Sequence, residues 1–217
     1  MNKRHVFTGS GLIFVLIILV VSVRHVRGTV LLTQAPENLK VKGHKDAPVH
    51  IVIYSDFQCP ACKIAEAPLE ELRNRFVDSV NVEFRHYPLQ RPHKWALTAA
   101  TFAQCAAEQN KFWEFHDRLF EKQEIWSSSL DPLSFFAGMV QELGLDTQQF
   151  ESCIRNPETL TQIQKEYSMG SKQGVQSTPT IFINGQMLIG SVQLKEKGPG
   201  IIIEELKKNH KSVPSLS

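Results

Sequence analysis

The spacing of hydrophobic residues changes three times along the chain. Over residues 49–54 both alternations are apolar, which is typical of a strand that is buried on both faces. From residue 59 onward apolar residues recur at near-helical spacing, although Pro68 is expected to kink that helix, and residues 80–84 alternate again. Residues 47–92 therefore predict a strand, a helix and a second strand, which together form a βαβ unit.

Residues 93–170 have helical spacing throughout. One segment places apolar residues at the i, i+3, i+4, i+7 and i+8 positions of a helix: Phe112, Phe115, His116, Leu119 and Phe120. This stripe predicts a buried face, with Glu114 and Arg118 paired on the exposed one. Asp146 is a candidate cap for a later helix. The block is therefore predicted to be a helical insertion.

Strands return in residues 171–210. Asn184-Gly185 lies between two short apolar runs, which is the strongest short-range signal for a β-hairpin. A final helix with Pro199 in its first turn is expected to cover the sheet, and residues 211–217 are a polar tail. The predicted fold is thus α/β, with the helical insertion between a βαβ half and a ββα half.

The first 27 residues predict a membrane anchor or a signal segment. Lys3 and Arg4 precede an apolar run over residues 7–23, which as a helix would extend about 25 Å. Basic residues follow the run where a cleavage site would need small ones, so an uncleaved anchor is favoured. Residues 28–46 are turn-rich and predict a tether that includes a short edge strand.

Length and charge restrict the function further. The chain has 217 residues, 24 Lys and Arg against 22 Asp and Glu, and a formal net charge of +2. This length suits one medium domain behind the N-terminal segment. Because no basic run occurs outside the N-terminus, nucleic acid is not an expected partner.

Two of the four cysteines form the motif Cys59-Pro60-Ala61-Cys62 at the start of the first predicted helix. A redox pair, half of a metal site and two buried thiols are the possible interpretations. A second pair of ligands at zinc-like spacing is absent from the sequence and the eight histidines are scattered, so a metal site is disfavoured. An even number of cysteines behind an export segment suits an oxidising compartment.

The position of the motif favours redox chemistry. Residues i and i+3 share one face of a helix, and the unpaired N–H groups of the first turn stabilise a thiolate there. Pro60 is tolerated in that turn. We therefore expect Cys59 to be the exposed nucleophile and Cys62 the buried resolving thiol. The disulfide between them is the only redox group expected, with no metal and no separate cofactor.

Three segments carry a resemblance to a known family: APVHIVIYSDFQCPACK, CAAEQNKFWEFHDRLF and GVQSTPTIFINGQMLIG. They resemble the DsbA-like branch of the thioredoxin superfamily, which comprises membrane-anchored or exported thiol:disulfide oxidoreductases. The likeness extends over residues 39–208. It implies a thioredoxin fold with a helical insertion, and an extracytoplasmic location on the periplasmic or outer cell-surface side.

The resemblance also assigns roles to residues outside the motif. From the residues alone Thr178-Pro179 would be an ordinary trans proline in a loop. The family implies a cis bond beside the cysteine pair. It also implies that Pro60, Ala61, Thr178 and Pro179 contact the substrate and tune the reduction potential. From the residues alone, Cys105 and Cys153 could be two independent buried thiols. The family implies instead that they form a second, structural disulfide.

Two positions depart from the family pattern. Many thioredoxin-fold enzymes have a buried acid on the strand before the first cysteine, where this chain has Ile53. The nearest acid, Asp56, is expected to cap the helix or to face water. DsbA has a histidine directly before its second cysteine, where this chain has Ala61, so a somewhat less oxidising pair is expected.

The leading hypothesis is an enzyme that forms disulfides in exported proteins by exchange through Cys59 and Cys62. Its partners would be unfolded or reduced exported proteins, a membrane quinone-linked thiol oxidase that reoxidises the pair, and the membrane through the N-terminal segment. A reductase or isomerase of the same fold is one alternative. A tethered peptide-binding or chaperone module, in which the thiols are unimportant, is an alternative of another class.

Overall fold

The computed structural model describes residues 39–211, so the N-terminal anchor or signal segment, most of the tether and the tail lie outside the described residues. Five strands are present in this part: β1 Val41–Gly43, β2 Val49–Ser55, β3 Val80–His86, β4 Thr180–Ile183 and β5 Gln186–Ile189. Eight helices accompany them: α1 Pro60–Arg75, α2 Ala96–Glu108, α3 Phe112–Glu121, α4 Gln123–Ser127, α5 Leu133–Glu142, α6 Thr147–Arg155, α7 Pro157–Lys172 and α8 Gly190–Lys211. Over the same residues, no helix has the length and apolar character needed to cross a bilayer.

The strands form one mixed sheet in the order β1-β3-β2-β4-β5. β2 and β3 are parallel and end on the same rung, where Ser55 is paired with His86. The other neighbouring pairs are antiparallel. The predicted α/β fold is confirmed, with α1 between the two parallel strands and α2 to α7 inserted before β4.

β2 lies at the centre of the sheet because both of its faces are apolar. Ile51 and Ile53 belong to the main core, whereas Tyr54 packs on the opposite face with Tyr87. A Cβ atom on Gly170 of α7 would lie 2.8 Å from the Tyr54 ring, so glycine is needed for this close approach. The sheet is therefore covered on both sides, and its central strand delivers its C-terminal end to the cysteine motif.

The helical insertion follows the sequence pattern closely. The predicted stripe of α3 is buried along its whole length, and the Asp146 side chain accepts a hydrogen bond from the backbone N–H of Gln149, 2.8 Å away, as the cap of α6. Both predictions are confirmed. The predicted pairing of Glu114 with Arg118 is wrong, because Glu114 binds Lys111 and Arg118 binds acidic residues elsewhere.

The C-terminal half contains the predicted hairpin and one misplaced helix start. Asn184 and Gly185 have positive φ angles of 45° and 86°, as the tight hairpin turn requires. Pro199 does not open the last helix, which begins at Gly190. Pro199 has no N–H to donate to the carbonyl of Lys195, four residues earlier. Lys195 is exposed, so water can replace the missing donor.

Candidate active site

The two motif cysteines lie at the start of α1, shortly after the end of β2. Cys59 is the N-cap residue of α1 with extended backbone angles, and Pro60 occupies the first helical position, where no N–H is required. Cys59 is less exposed than expected, at 8%, because Thr178 lies against its sulfur, and Cys62 is fully buried. Both thiols are free in this structure, so the geometry is that of the reduced pair.

The surroundings of Cys59 favour its thiolate. A hydrogen bond with the Cys62 thiol is the largest cause that lowers the pKa of Cys59, to about 5. Contact with Thr178 and the backbone N–H groups of Ala61 and Cys62 lower this pKa further, while burial opposes them. The start of α1 thus supplies donors to the sulfur that is able to meet a substrate.

Cys62 has the opposite character. Burial raises the pKa of its thiol well above the usual value, and the neighbouring Cys59 raises it as well. The Ser55 hydroxyl and the backbone N–H of Asp56, which donates to the sulfur over 3.4 Å, lower this pKa but do not cancel the effect of burial. The two thiols therefore differ strongly in acidity, which is the asymmetry that exchange needs.

Thr178 and Pro179 come from the far half of the chain to complete the site. The bond between them is cis, and the Thr178 carbonyl oxygen accepts a hydrogen bond from the Cys59 thiol, 3.5 Å away. The Pro179 carbonyl accepts from the backbone N–H of Gly190 at the start of α8. The structure thus brings together Cys59, Cys62, Thr178 and Pro179.

The expectation for Asp56 is wrong. This residue is 2% exposed and does not cap α1. Its carboxylate accepts hydrogen bonds from the backbone N–H groups of Gln58 and Leu89, 2.8 and 2.9 Å away, and contacts His93 Nδ1 at 2.7 Å. Asp56 therefore ties the motif to the segment after β3, a contact that local sequence cannot show.

Two glutamines that sequence reasoning missed hold the turn in place. Gln123 of α4 donates to the carbonyl oxygens of Phe57 and Cys59, at 2.7 and 2.9 Å. The Gln58 side chain accepts a hydrogen bond from the backbone N–H of Trp95, 2.6 Å away. The helical insertion is thereby fixed to the motif, and these long-range contacts leave no signal in the sequence.

The remaining cysteines lie apart in the insertion. Cys105 of α2 and Cys153 of α6 form a disulfide, with Cα atoms 5.7 Å apart and a sequence separation of 48. Sequence reasoning alone left this pairing open. Within residues 39–211 no cluster of three or more His, Cys, Asp or Glu side chains could hold a metal ion.

Comparison with known proteins agrees with this geometry. A family model described as thioredoxin matches residues 37–201, which is most of the chain. The chain belongs to the thioredoxin family. In its cysteine motif a thiol of lowered pKa lies beside a fully buried one, an asymmetry that thiol–disulfide exchange requires.

Solved structures place this thioredoxin-family chain among the DsbA-like folds. The α-DsbA1 protein of Wolbachia pipientis has a TM-score of 0.68 at 22% identity, and the match covers 79% of this chain and 93% of that one. Oxidised BdbD from Bacillus subtilis has a TM-score of 0.68 at 24% identity, with 77% and 92% covered. At these identities the likeness concerns the fold, including the helical insertion.

Curated relatives at higher identity are much longer proteins. A protein of Mycolicibacterium vanbaalenii named Na(+)/H(+) antiporter NhaA 1 is 32% identical over 166 residues, which are 76% of this chain and 25% of that protein. The chain therefore spans about a quarter of the length of the curated relatives it matches. The name antiporter refers to those longer proteins as a whole.

Proposed function

We propose that this protein is an extracytoplasmic thiol–disulfide oxidoreductase that forms disulfides in exported proteins. The observation that carries the proposal is the asymmetry of the pair, with the pKa of Cys59 lowered to about 5 and that of the buried Cys62 raised. A low pKa at the nucleophile stabilises the reduced pair, and an enzyme whose reduced form is stabilised oxidises its substrates.

The exchange follows from the positions of the two sulfurs. A substrate thiolate attacks Cys59 in the oxidised pair, because Cys62 is fully buried. The bond between Cys59 and Cys62 breaks and a mixed disulfide forms at Cys59. The substrate's second thiolate then attacks its own sulfur in the mixed disulfide, and Cys59 departs as a stable thiolate. Reoxidation needs a further disulfide donor, for which we propose a membrane quinone-linked thiol oxidase.

Unfolded polypeptides are the proposed substrates. An extended substrate chain would pair with the Thr178 backbone beside Cys59. Exposed apolar side chains lie on α4, which contacts Cys59, and on β5, which pairs with the strand after Pro179. Ile189 is 50% exposed on β5 opposite Thr180, and Ile125 is 57% exposed on α4, the helix of Gln123. Such apolar side chains would hold segments that a folded protein buries.

The disulfide between Cys105 and Cys153 supports the extracytoplasmic location, because structural disulfides persist in oxidising compartments. Residues 1–27 would deliver the domain there and, uncleaved, would anchor it to the cytoplasmic membrane. Mass spectrometry of the mature protein tests the anchor, since a new N-terminus after residue 23 would show a cleaved signal. Labelling of the domain in intact cells by a membrane-impermeant reagent tests the side of the membrane.

A reductase or isomerase is the second candidate, favoured by one observation. The Ala61 side chain places no charge between the cysteines, so only its backbone N–H adds to the stability of the thiolate. The direction is decided by mixing the oxidised protein with a reduced, unfolded substrate, and in parallel the reduced protein with insulin. We expect rapid substrate oxidation and slow insulin reduction. Cys59→Ser should abolish both, and retained protection of substrates from aggregation without any exchange would favour the chaperone alternative.

A further inference from the structure

Buried polar atoms without a hydrogen-bond partner gather at one end of β2 and β3. Among the described residues six such side-chain atoms occur, and three of them belong to Ser55 and His86: the Ser55 hydroxyl oxygen and both ring nitrogens of His86. Each of these residues is 1% exposed, and they face each other on the last rung of the parallel strands. Unpaired buried polar groups are costly, so their occurrence together calls for a reason.

A reason is found in Cys62 of α1, whose sulfur lies at the end of β2. The backbone N–H of Asp56, the residue after Ser55, donates to the Cys62 sulfur over 3.4 Å, which places the end of β2 at this thiol. The Ser55 hydroxyl lowers the pKa of Cys62 but forms no hydrogen bond with it in the reduced protein. The largest effect on the pKa of Cys62 is that of burial, which raises it. A charge formed on this sulfur has no described cation among its named neighbours.

The His86 ring is held among aromatic rings. Its centroid lies 5.3 Å from that of Phe84 and 6.0 Å from those of Phe57 and Phe112, and its backbone N–H donates to Glu166 over 2.7 Å. Burial lowers the pKa of His86 well below its usual value, and Lys40 lowers it further. The imidazole is therefore neutral near pH 7, with one N–H donor and one acceptor nitrogen.

The charged groups around His86 are already occupied. The Lys40 ammonium binds Glu166 and, at 3.0 Å, the Gln104 side chain, which also lies next to the His86 ring. His116, the other titratable neighbour, contacts Asp117 at 2.8 Å. None of these charges is directed to Cys62 by a hydrogen bond that the structure records.

We propose that Ser55 and His86 form a neutral donor chain for the thiolate of Cys62. These side-chain groups have no hydrogen-bond partner in the reduced protein. When the Cys62 sulfur carries charge, the Ser55 O–H turns to donate to it, and the His86 N–H donates to the Ser55 oxygen. In this role Ser55 would bind a reacting atom and would be a catalytic residue, whereas His86 would orient Ser55 and would be a positioning residue. This inference rests on the proposed exchange activity, but not on its direction.

The donor chain of Ser55 and His86 acts at the step in which Cys62 leaves. As an incoming thiolate attacks Cys59, the bond between Cys59 and Cys62 breaks and its electron pair goes to the Cys62 sulfur, while the new bond joins Cys59 to the incoming sulfur. No proton moves in this step. A buried thiolate appears, and the buried O–H and N–H dipoles beside it stabilise it where solvent is excluded. In the reverse step the same thiolate attacks the mixed disulfide.

The test is single-turnover reduction of the oxidised protein by excess glutathione. Ser55→Ala should slow the attack about tenfold, because a hydrogen bond to a charged group is lost, while Ser55→Thr should stay near the wild-type rate. His86→Leu should slow it less, and Ser55→Ala combined with His86→Leu should be no slower than Ser55→Ala alone, since one chain is broken in either case. Thr101→Val, which removes a buried hydroxyl bound to the Leu97 carbonyl in α2, is the matched control and should leave the rate unchanged.

Because the donors are neutral, the ratio of wild-type to Ser55→Ala rates should be the same at pH 6 and pH 8. A wild-type rate in Ser55→Ala, fully additive losses in the double variant, or a ratio that changes with pH would each overturn the donor chain while the exchange activity stands. A wild-type protein that does not react with glutathione would overturn the proposed function and the inference together. Urea denaturation of each variant separates these effects on rate from loss of stability.

Discussion

The Cys59 sulfur lies 3.5 Å from the Thr178 carbonyl oxygen, although 119 positions separate the two residues. The contact joins the βαβ half to the ββα half, while Gln123 of the helical insertion donates to the Cys59 carbonyl oxygen. Three parts of the chain therefore meet at Cys59. The reactivity of the pair depends on the whole fold as well as on the four-residue motif.

The difference in acidity predicts which thiol reacts first. At pH 6 the reduced protein should incorporate one equivalent of iodoacetamide rapidly at Cys59, because its pKa is lowered to about 5 while that of Cys62 is raised. Peptide mapping after brief labelling measures this. The denatured protein is the control and should label both thiols at similar rates. Faster labelling of Cys62 in the folded protein would reverse the assigned roles.

The same shift predicts how the stability of the reduced protein depends on pH. In the folded state the pKa of Cys59 is about 5, below that of an unfolded cysteine near 8.5. The unfolded state therefore binds more protons between these values, so the contribution is fully present above about pH 8.5, decreases as pH falls, and is lost below about pH 5. Cys62 stays protonated over this range because its pKa is raised.

Urea denaturation of the reduced and oxidised forms at several pH values measures this effect. The reduced form should gain stability relative to the oxidised form as pH rises from 5 to 8. Reduced Cys59→Ser should lack this gain relative to the reduced wild type. A wild-type difference that does not change with pH would show that the Cys59 thiolate is not stabilised by folding.

The disulfide of the insertion should stabilise the fold without taking part in exchange. Replacing both Cys105 and Cys153 by alanine should lower the free energy of unfolding by about 4 kcal/mol, since the bond closes a loop with a sequence separation of 48. The rate of reaction with glutathione at Cys59 should be retained. Thiol counting on the oxidised, denatured wild type should find no free thiols, and two free thiols at these positions would contradict the bond.

Asp56 should be a major structural residue of the motif. Asp56→Ala leaves two backbone N–H groups and the His93 ring without their acceptor and should cost about 3 kcal/mol. Asp78→Ala is the control, because Asp78 is exposed between α1 and β3 and its loss should change stability by no more than about 0.5 kcal/mol. Equal losses in urea denaturation would contradict the account of Asp56.

Sequence reasoning succeeded where the signal is local. The helix start at Cys59, the hairpin at Asn184-Gly185 and the cap at Asp146 each depend on a few neighbouring residues whose backbone preferences agree with the fold. The alternation of β2 predicted a central strand for the same reason, since both of its faces are apolar.

It failed where a residue's environment comes from distant segments. Asp56 looked like a cap because the groups that bury it, Leu89 and His93, follow another strand. Pro199 looked like a helix start because prolines prefer the first turn, yet solvent near Lys195 allows it inside α8. His86 was one of several scattered histidines in the sequence, and only the register of β2 and β3 places it opposite Ser55.

The reduction potential of the Cys59–Cys62 pair tests the central claim, the formation of disulfides in substrates, most directly. It is measured by equilibrating the protein with glutathione buffers of graded ratio and quantifying the reduced fraction. The Cys59 thiolate is stabilised, but Ala61 stands where DsbA has a histidine that stabilises it further. We therefore predict a reduction potential between about −200 and −120 mV, at which the pair oxidises substrate thiols. A value at or below about −270 mV, that of thioredoxin, would make the pair a reductant and would contradict the account.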